Sequence, residues 1–526
     1  MKALKIFLLL TASAAVLLSS CKKHFLDVYP QSELSSGTFW TDSSDATSAV
    51  TGVYGLWSTS HNYQIYFSDD WSDDAIPTGF WHGFYYYIWG IGDISPQNTD
   101  LDTYWSALYS VIRSTNVYLA NESKCQMSQA LHQQYKGEIK FVRAYEYLLL
   151  LNTWGEVPLV TTPMTVGELD VPRASPGQTQ ALILKDLDSA VADLSVAAAQ
   201  VGRITQGAAL ALKARAELYA GDYADAATDA QAVMNLNIYQ LLRTPAGDGY
   251  YQLANTKQGN NQEEILAWQN NGINRNNDQV MYINCFTNTL VSPTNALVST
   301  YVGYDTATDQ VVPVDTSTTT SRFQNRDPRL NWTVGHTGSI VNGETLNSET
   351  LPLSNQSTGY GVVKYITNDI LQNSANQTTD NMLIRYAEVE LTYAEAKIES
   401  NQIDQTVLTA INDVRSRAFG TTVTDIVHYP EVTATDQATL RSIVRNERRV
   451  ELAFEGFRWF DLRRWQIAAG TGGTMNGPVI GAYLSNGTYL DAGTRALQAP
   501  RDYLRPIPQN EINLEGASVL TQNPGY

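Results

Sequence analysis

Residues 79 to 89, GFWHGFYYYIW, place seven aromatic side chains and a histidine in eleven positions, just after the acidic stretch DDWSDD at 69 to 74. Such a run can be a sheet core, a belt at a membrane interface, or a surface on which a flat apolar ligand lies. Read as an extended strand, it alternates sides. Phe80, His82, Phe84, Tyr86 and Ile88 then form an apolar inner row. Trp81, Tyr85, Tyr87 and Trp89 form an outer row whose tips can hydrogen-bond. Asp73 and Asp74 stand beside this row as acceptors. A second combination lies in AWQNNGINRNND at 267 to 278, where Trp268 offers a ring and Asn271 and Arg275 offer donors. The expected ligand-contacting set is therefore Asp73, Asp74, Trp81, Tyr85, Tyr87, Trp89, Trp268, Asn271 and Arg275.

Catalytic signatures are absent. The six histidines, at 24, 61, 82, 132, 336 and 428, are scattered, with no HExxH, GxSxG, Walker loop or GxGxxG. Asp73 and Asp74 could supply a glycosidase acid and base, but adjacent acids rarely face each other across a scissile bond. A glycoside hydrolase is thus the weaker alternative, and no enzyme, cofactor or metal site is expected. The charged run IVRNERRVELAFEGFRWFDLRRW, 443 to 465, reads as a helix pairing Glu455 with Arg458 and Asp461 with Arg464. Its arginines are expected to fix the scaffold and not to grip an anionic substrate.

The formal net charge of −18 argues against a nucleic-acid partner, which needs clustered Lys and Arg. At the N-terminus, MKALK precedes the apolar run IFLLLTASAAVLL, too short for a lasting span, and the run ends in Leu18-Ser19-Ser20-Cys21. This resembles a bacterial lipobox, so residues 1–20 are expected to be a cleaved leader and Cys21 the lipidated N-terminus. The aromatic belt is then unnecessary. Cys125 and Cys285 are expected to stay unpaired.

The elements that must position these residues are mostly helical. Apolar spacing predicts helices over 45–57, 103–121 and 135–152. A further pair over 205–235 breaks at Gly221-Asp222, and another covers 382–400 and 405–417. Both pairs resemble tetratricopeptide units. Residues 58–102 and 240–380 read as loops with short strands, and 470–526 as mostly irregular.

Several segments occur in one order along nearly the whole chain: FLDVYPQSELSSGTFW, WSALYSVIRSTNVYLAN, EIKFVRAYEYLLLLNTWGEVPLV, the 208–235 repeat, NRDPRL, IRYAEVELTYAEAKIE, the 443–465 run, LRPIPQNEI and the terminal QNPGY. In this the chain resembles the SusD/RagB family of Bacteroidetes outer-membrane lipoproteins. The resemblance implies a mainly α fold with four tetratricopeptide-like helix pairs beside a loop-rich binding region, in one domain over 21–526. It implies capture of a glycan, or less often a peptide, above a SusC-like TonB-dependent transporter, without catalysis. Trp105 and Trp332 fall in the family-matching segments and are assigned to the core, while Arg329 and Arg385, which could touch a ligand, are expected instead to pair with a backbone carbonyl or carboxylate in the scaffold. A sugar has an apolar C–H face and a hydroxyl rim, which the aromatic and polar candidates above would suit.

Overall fold

The computed structural model describes residues 39–60, 68–77, 85–165, 170–198, 200–256, 261–270, 290–305, 307–308, 310–341, 343–348, 358–366 and 379–526. The helices are α1 (Ser43–Ser60), α2 (Tyr85–Ile91), α3 (Thr99–Asn121), α4 (Gln129–Trp154), α5 (Pro176–Asp193), α6 (Gln206–Ala220), α7 (Tyr223–Asn235) and α8 (Gly249–Asn255). They continue as α9 (Asn295–Val298), α10 (Arg329–Thr333), α11 (Tyr386–Glu399), α12 (Gln405–Ala418), α13 (Gln437–Glu451), α14 (Arg458–Arg464) and α15 (Gln509–Glu515). Among the described residues, the strands form seven separate two-stranded sheets.

Local chemistry sets the helix limits. The Asn98 side chain accepts from Leu101 N at 2.9 Å to start α3, and Ser175 with Gln178 forms a capping box around Pro176 to start α5. Helix α6 stops at Gly221, whose φ of 86° favours a residue without Cβ. Each long helix then packs on the next: α3 on α1 and α4, α4 on α5, α5 on α6, and α6 on α7. Alanines make the α6–α7 crossing close, with Ala208, Ala209, Ala226 and Ala230 fully or nearly fully buried. Helix α7 packs directly on α11, although some 150 residues of loop-rich chain separate them, so the helical stack is interrupted in sequence and continuous in space.

Within that stack, burial and then Asp229 push the Glu217 carboxyl up to about 9. A raised carboxyl is protonated in the fold and ionised when unfolded. Its share of stability is therefore full below the unfolded value and lost as pH rises towards about 9. Glu217→Gln, which mimics the protonated form, should flatten the decline in melting temperature between about pH 4.5 and 9, measured by thermal scans across that window.

Four expectations are corrected. Met382–Arg385 are not helical but belong to the strand Asn381–Arg385, which pairs antiparallel with Glu264–Trp268 and leads into α11. The run at 443–465 is two helices, α13 and α14, broken at 452–457, where Phe454 and Gly456 take φ of 61° and 82°. Asp461 and Arg464 do pair, at 2.8 Å, whereas Glu455 turns to Lys364 and Arg385, and Arg458 turns to Asp73. The 470–526 segment contains a long antiparallel hairpin, Asn476–Tyr483 with Tyr489–Ala496. Its alternation is blurred by glycines and two register shifts. Helix α5 carried no expectation, and its capping box is the signal that marks it.

A second, smaller apolar cluster fills the loop-rich region around Tyr301, Phe323, Leu330, Tyr360 and Phe454. Ion pairs connect it to the helical stack. Glu451, at the end of α13, meets Arg385 (2.6 Å), Arg329 (2.9 Å) and Arg417. Arg385 also meets Glu263 at 2.9 Å and Glu455 at 2.7 Å. Arg329 and Arg385, 0% and 1% exposed, pair with carboxylates within the scaffold, the expected alternative to ligand contact. Trp105 is buried, while Trp332 is half-buried and stacks on Tyr250. Cys125 is a buried free thiol, and Cys285 lies outside the described residues.

Candidate glycan-binding site

The acidic stretch forms a 3-10 turn, Ser68–Trp71, followed by the short strand Ala75–Ile76. It is clamped by the α13–α14 corner. Arg458 holds Asp73 through Nε at 2.7 Å and Nη2 at 2.9 Å, and Arg449 Nε donates to Asp74 at 2.6 Å. The Gly456 N–H donates to Asp69 Oδ2 at 3.1 Å. Burial alone would raise the Asp73 carboxyl, yet Arg449 and Arg458 hold it well below the usual carboxylate range. Asp69 and Asp70 go the other way: burial pushes both carboxyls well up. This corrects the expectation for Asp74, which is 0% exposed and bonded to Arg449, and so faces no ligand. Asp73, 3% exposed, borders a cleft with its carboxylate already bonded. The Asp73 carboxylate is thus bonded on both oxygens to Arg458, and the Asp74 carboxyl is closed off from solvent.

The aromatic run is also corrected. From Tyr85 to Ile91 it is helix α2 and not strand, because an almost unbroken aromatic run satisfies a period of two and a period of 3.6 equally. Gly90 lets α2 lie against the 3-10 turn, since a Cβ there would come within 2.2 Å of the Asp70 carbonyl oxygen. Trp89 is consequently 0% exposed, 4.7 Å from the Trp71 ring and 6.2 Å from Tyr104, with the Arg505 guanidinium 5.3 Å from its centroid. It is a core residue. Trp268, 4% exposed, stands edge-on to Trp57 at 5.6 Å and is core as well. Tyr85 and Tyr87 fall within α2, and Trp81, Asn271 and Arg275 lie outside the described residues.

What the fold brings together is the chain just before the Trp81 stretch and the chain just after residue 289, while Asn270, next to Asn271, is bonded to Asp380 and the Thr379 carbonyl. Strand Ala75–Ile76, which leads towards Trp81, pairs antiparallel with Ser292–Pro293, which follows the segment bearing Asn271 and Arg275. Thr294 N and Oγ1 donate to the carbonyls of Asp74 and Asp73 at 2.8 and 2.6 Å. Arg495, from the C-terminal hairpin, donates to the Ala75 carbonyl. Sequence spacing could not show this junction, since its partners are more than 200 residues apart.

Beside the junction is a cleft of about 240 Å³ walled by Asp73, Asn295, Ser299, Asn476 and Arg495. Its walls mix donors and acceptors, which suits a polyhydroxylated ligand. A separate aromatic-walled cavity, lined by Trp71, Tyr104, Tyr145 and Phe457, has only about 60 Å³, room for about two waters. That space belongs to the core. Among the described residues, no group of three His, Cys, Asp or Glu could hold a metal ion, and no helix is long and apolar enough to cross a membrane.

Comparison with known proteins agrees with this architecture. Residues 24–218 match a family model described as starch-binding and associating with the outer membrane, and residues 251–526 match the model of the SusD family. A SusD-like protein of Bacteroides ovatus is 24% identical over 98% of this chain and 95% of its own. The crystal structure of a SusD-like carbohydrate-binding protein from Bacteroides fragilis superposes with a TM-score of 0.78 at 26% identity, covering 91% of this chain and 99% of that one. A laminarin-binding SusD-like protein superposes with a TM-score of 0.65 at 23% identity, over 92% of this chain and all of that one, and shows the shared fold. Matched along both halves, with one interrupted helical stack and one loop-rich face, the chain belongs to the SusD family.

Proposed function

We propose that the protein is a surface lipoprotein of the outer membrane, anchored through Cys21, that captures an oligosaccharide and delivers it to a SusC-like TonB-dependent transporter without cleaving it. The observation that carries this reading is the junction of Ala75–Ile76 with Ser292–Pro293. It joins the described chain that precedes the Trp81 stretch to the described chain that follows residue 289, beside one polar cleft. Family membership and the carbohydrate ligands named for two structural neighbours support the ligand class, and the lipobox-like leader supports the anchor. Capture works through several weak contacts, ring stacking plus hydroxyl hydrogen bonds, so that release to the transporter stays fast.

Affinity electrophoresis in gels containing laminarin, starch, xylan or polygalacturonate tests this reading. At least one polysaccharide should retard the wild-type protein. Trp81→Ala should weaken that retardation about tenfold, a loss equivalent to roughly 1.4 kcal/mol, with an unchanged melting temperature. Binding to a peptide library with no polysaccharide retention would overturn it.

A further inference from the structure

The C-terminal hairpin ends in an arrangement that the cleft does not use. Tyr489 is 43% exposed, an uncommon exposure for a large aromatic side chain. It pairs across the hairpin with Tyr483, the rings 5.0 Å apart at an interplanar angle of 65°. Arg322, from a 3-10 turn in the loop-rich region, stacks on Tyr483 at 3.8 Å and donates through Nη1 to the Tyr489 hydroxyl at 3.2 Å. Its Nη2 donates to the Thr316 carbonyl at 3.2 Å, and no described carboxylate pairs with it.

The group is held firmly. Asn486 Oδ1 accepts from Thr488 N and Oγ1 at 3.0 and 2.7 Å, and Leu484 N donates to the Thr488 carbonyl at 2.8 Å, which closes the turn. Phe323, next to Arg322, is buried and stacks on His336 at 3.8 Å. A ring fixed in this way needs little further ordering when it binds, and its exposed face stands open to water. Arg322 covers Tyr483, so Tyr489 is the surface on offer, with guanidinium N–H groups at its edge.

The hairpin also touches the candidate site. Val479 and Ala492 pack with Ile76, at the junction that roots the Trp81 segment. From Val479 to Tyr483 the strand runs four residues, about 13 Å, a span that an oligosaccharide bridges.

We propose that the tip formed by Tyr483, Tyr489 and Arg322 is an outer glycan subsite, where a pyranose ring stacks on Tyr489 and its ring-edge hydroxyls accept from Arg322. This rests on the capture reading above. The subsite extends the grip on a longer chain and leaves the cleft to select the inner residues.

The test uses the full chain in gels of laminarin, starch, xylan or polygalacturonate. Tyr489→Ala should weaken retardation by roughly three- to tenfold, Tyr489→Phe should keep most of it, and both should melt with the wild type. Wild-type retardation by Tyr489→Ala, in a gel where Trp81→Ala loses it, would overturn the subsite and leave capture standing. If no polysaccharide retards the wild type, both readings fall together.

Discussion

Trp89→Ala should lower folding stability by about 3–5 kcal/mol, the usual loss when a buried large aromatic is truncated. The expected readout is a marked fall in the urea midpoint. The ring is 0% exposed and sits in a chain of aromatic contacts from Trp71 through Tyr104 to Trp154, with centroid separations of 4.7, 6.2 and 5.3 Å. Arg505 lies across Trp71, Trp89 and Trp459, and burial pushes its guanidinium down to about 10. Truncation would leave a cavity and remove one of the ring faces on which this buried cation rests. Because α2 also positions the end of the Trp81 segment, glycan affinity should fall only as far as the fold loosens. A variant that melts with the wild type but no longer binds polysaccharide would return Trp89 to the ligand surface.

The misplacement of Trp89 shows where the sequence is readable and where it is not. Apart from α5, the helical stack is legible because it obeys a local rule: apolar spacing and the Gly221 break lie within a few residues of the helices they define. The candidate site obeys no local rule. Whether Asp73 faces a ligand or an arginine depends on Arg458, 385 positions away, and whether Trp268 is a platform or core depends on Trp57. An aromatic run broken only by a histidine and a glycine contains no period to separate helix from strand, so alternation puts Trp89 in the outer row although it is buried. The hairpin tip is hidden in the sequence for a similar reason. Tyr483 and Tyr489 are ordinary strand residues in sequence, and only Arg322, more than 150 residues earlier, makes them a rigid group.

Long-range polar partners also set the second large expected effect, at Glu451. Its carboxylate accepts from Arg385 at 2.6 Å, from Arg329 at 2.9 Å and from Arg417, all buried. Burial favours the neutral acid, yet Arg417, Arg385 and Arg329 together hold this carboxyl well below the usual range. A carboxyl depressed in the fold contributes stability that is fully present above its unfolded value, near pH 4.3, and is lost as pH falls through the folded value. Glu451→Gln leaves three buried guanidinium groups around a neutral amide, one end of which is itself a donor. The expected cost is about 3–5 kcal/mol at pH 7, read from the urea midpoint. The gap between variant and wild type should narrow as the solution is acidified below about pH 4. A pair with one exposed partner offers the contrast: Asp188, 64% exposed, meets Lys213 at 2.9 Å, and Asp188→Asn should cost less than about 1 kcal/mol, since Lys213 keeps Asp229 at 3.0 Å. Equal losses for the two variants would mean that the Glu451 cluster is solvated, and that apolar packing alone fastens the loop-rich face to the helices.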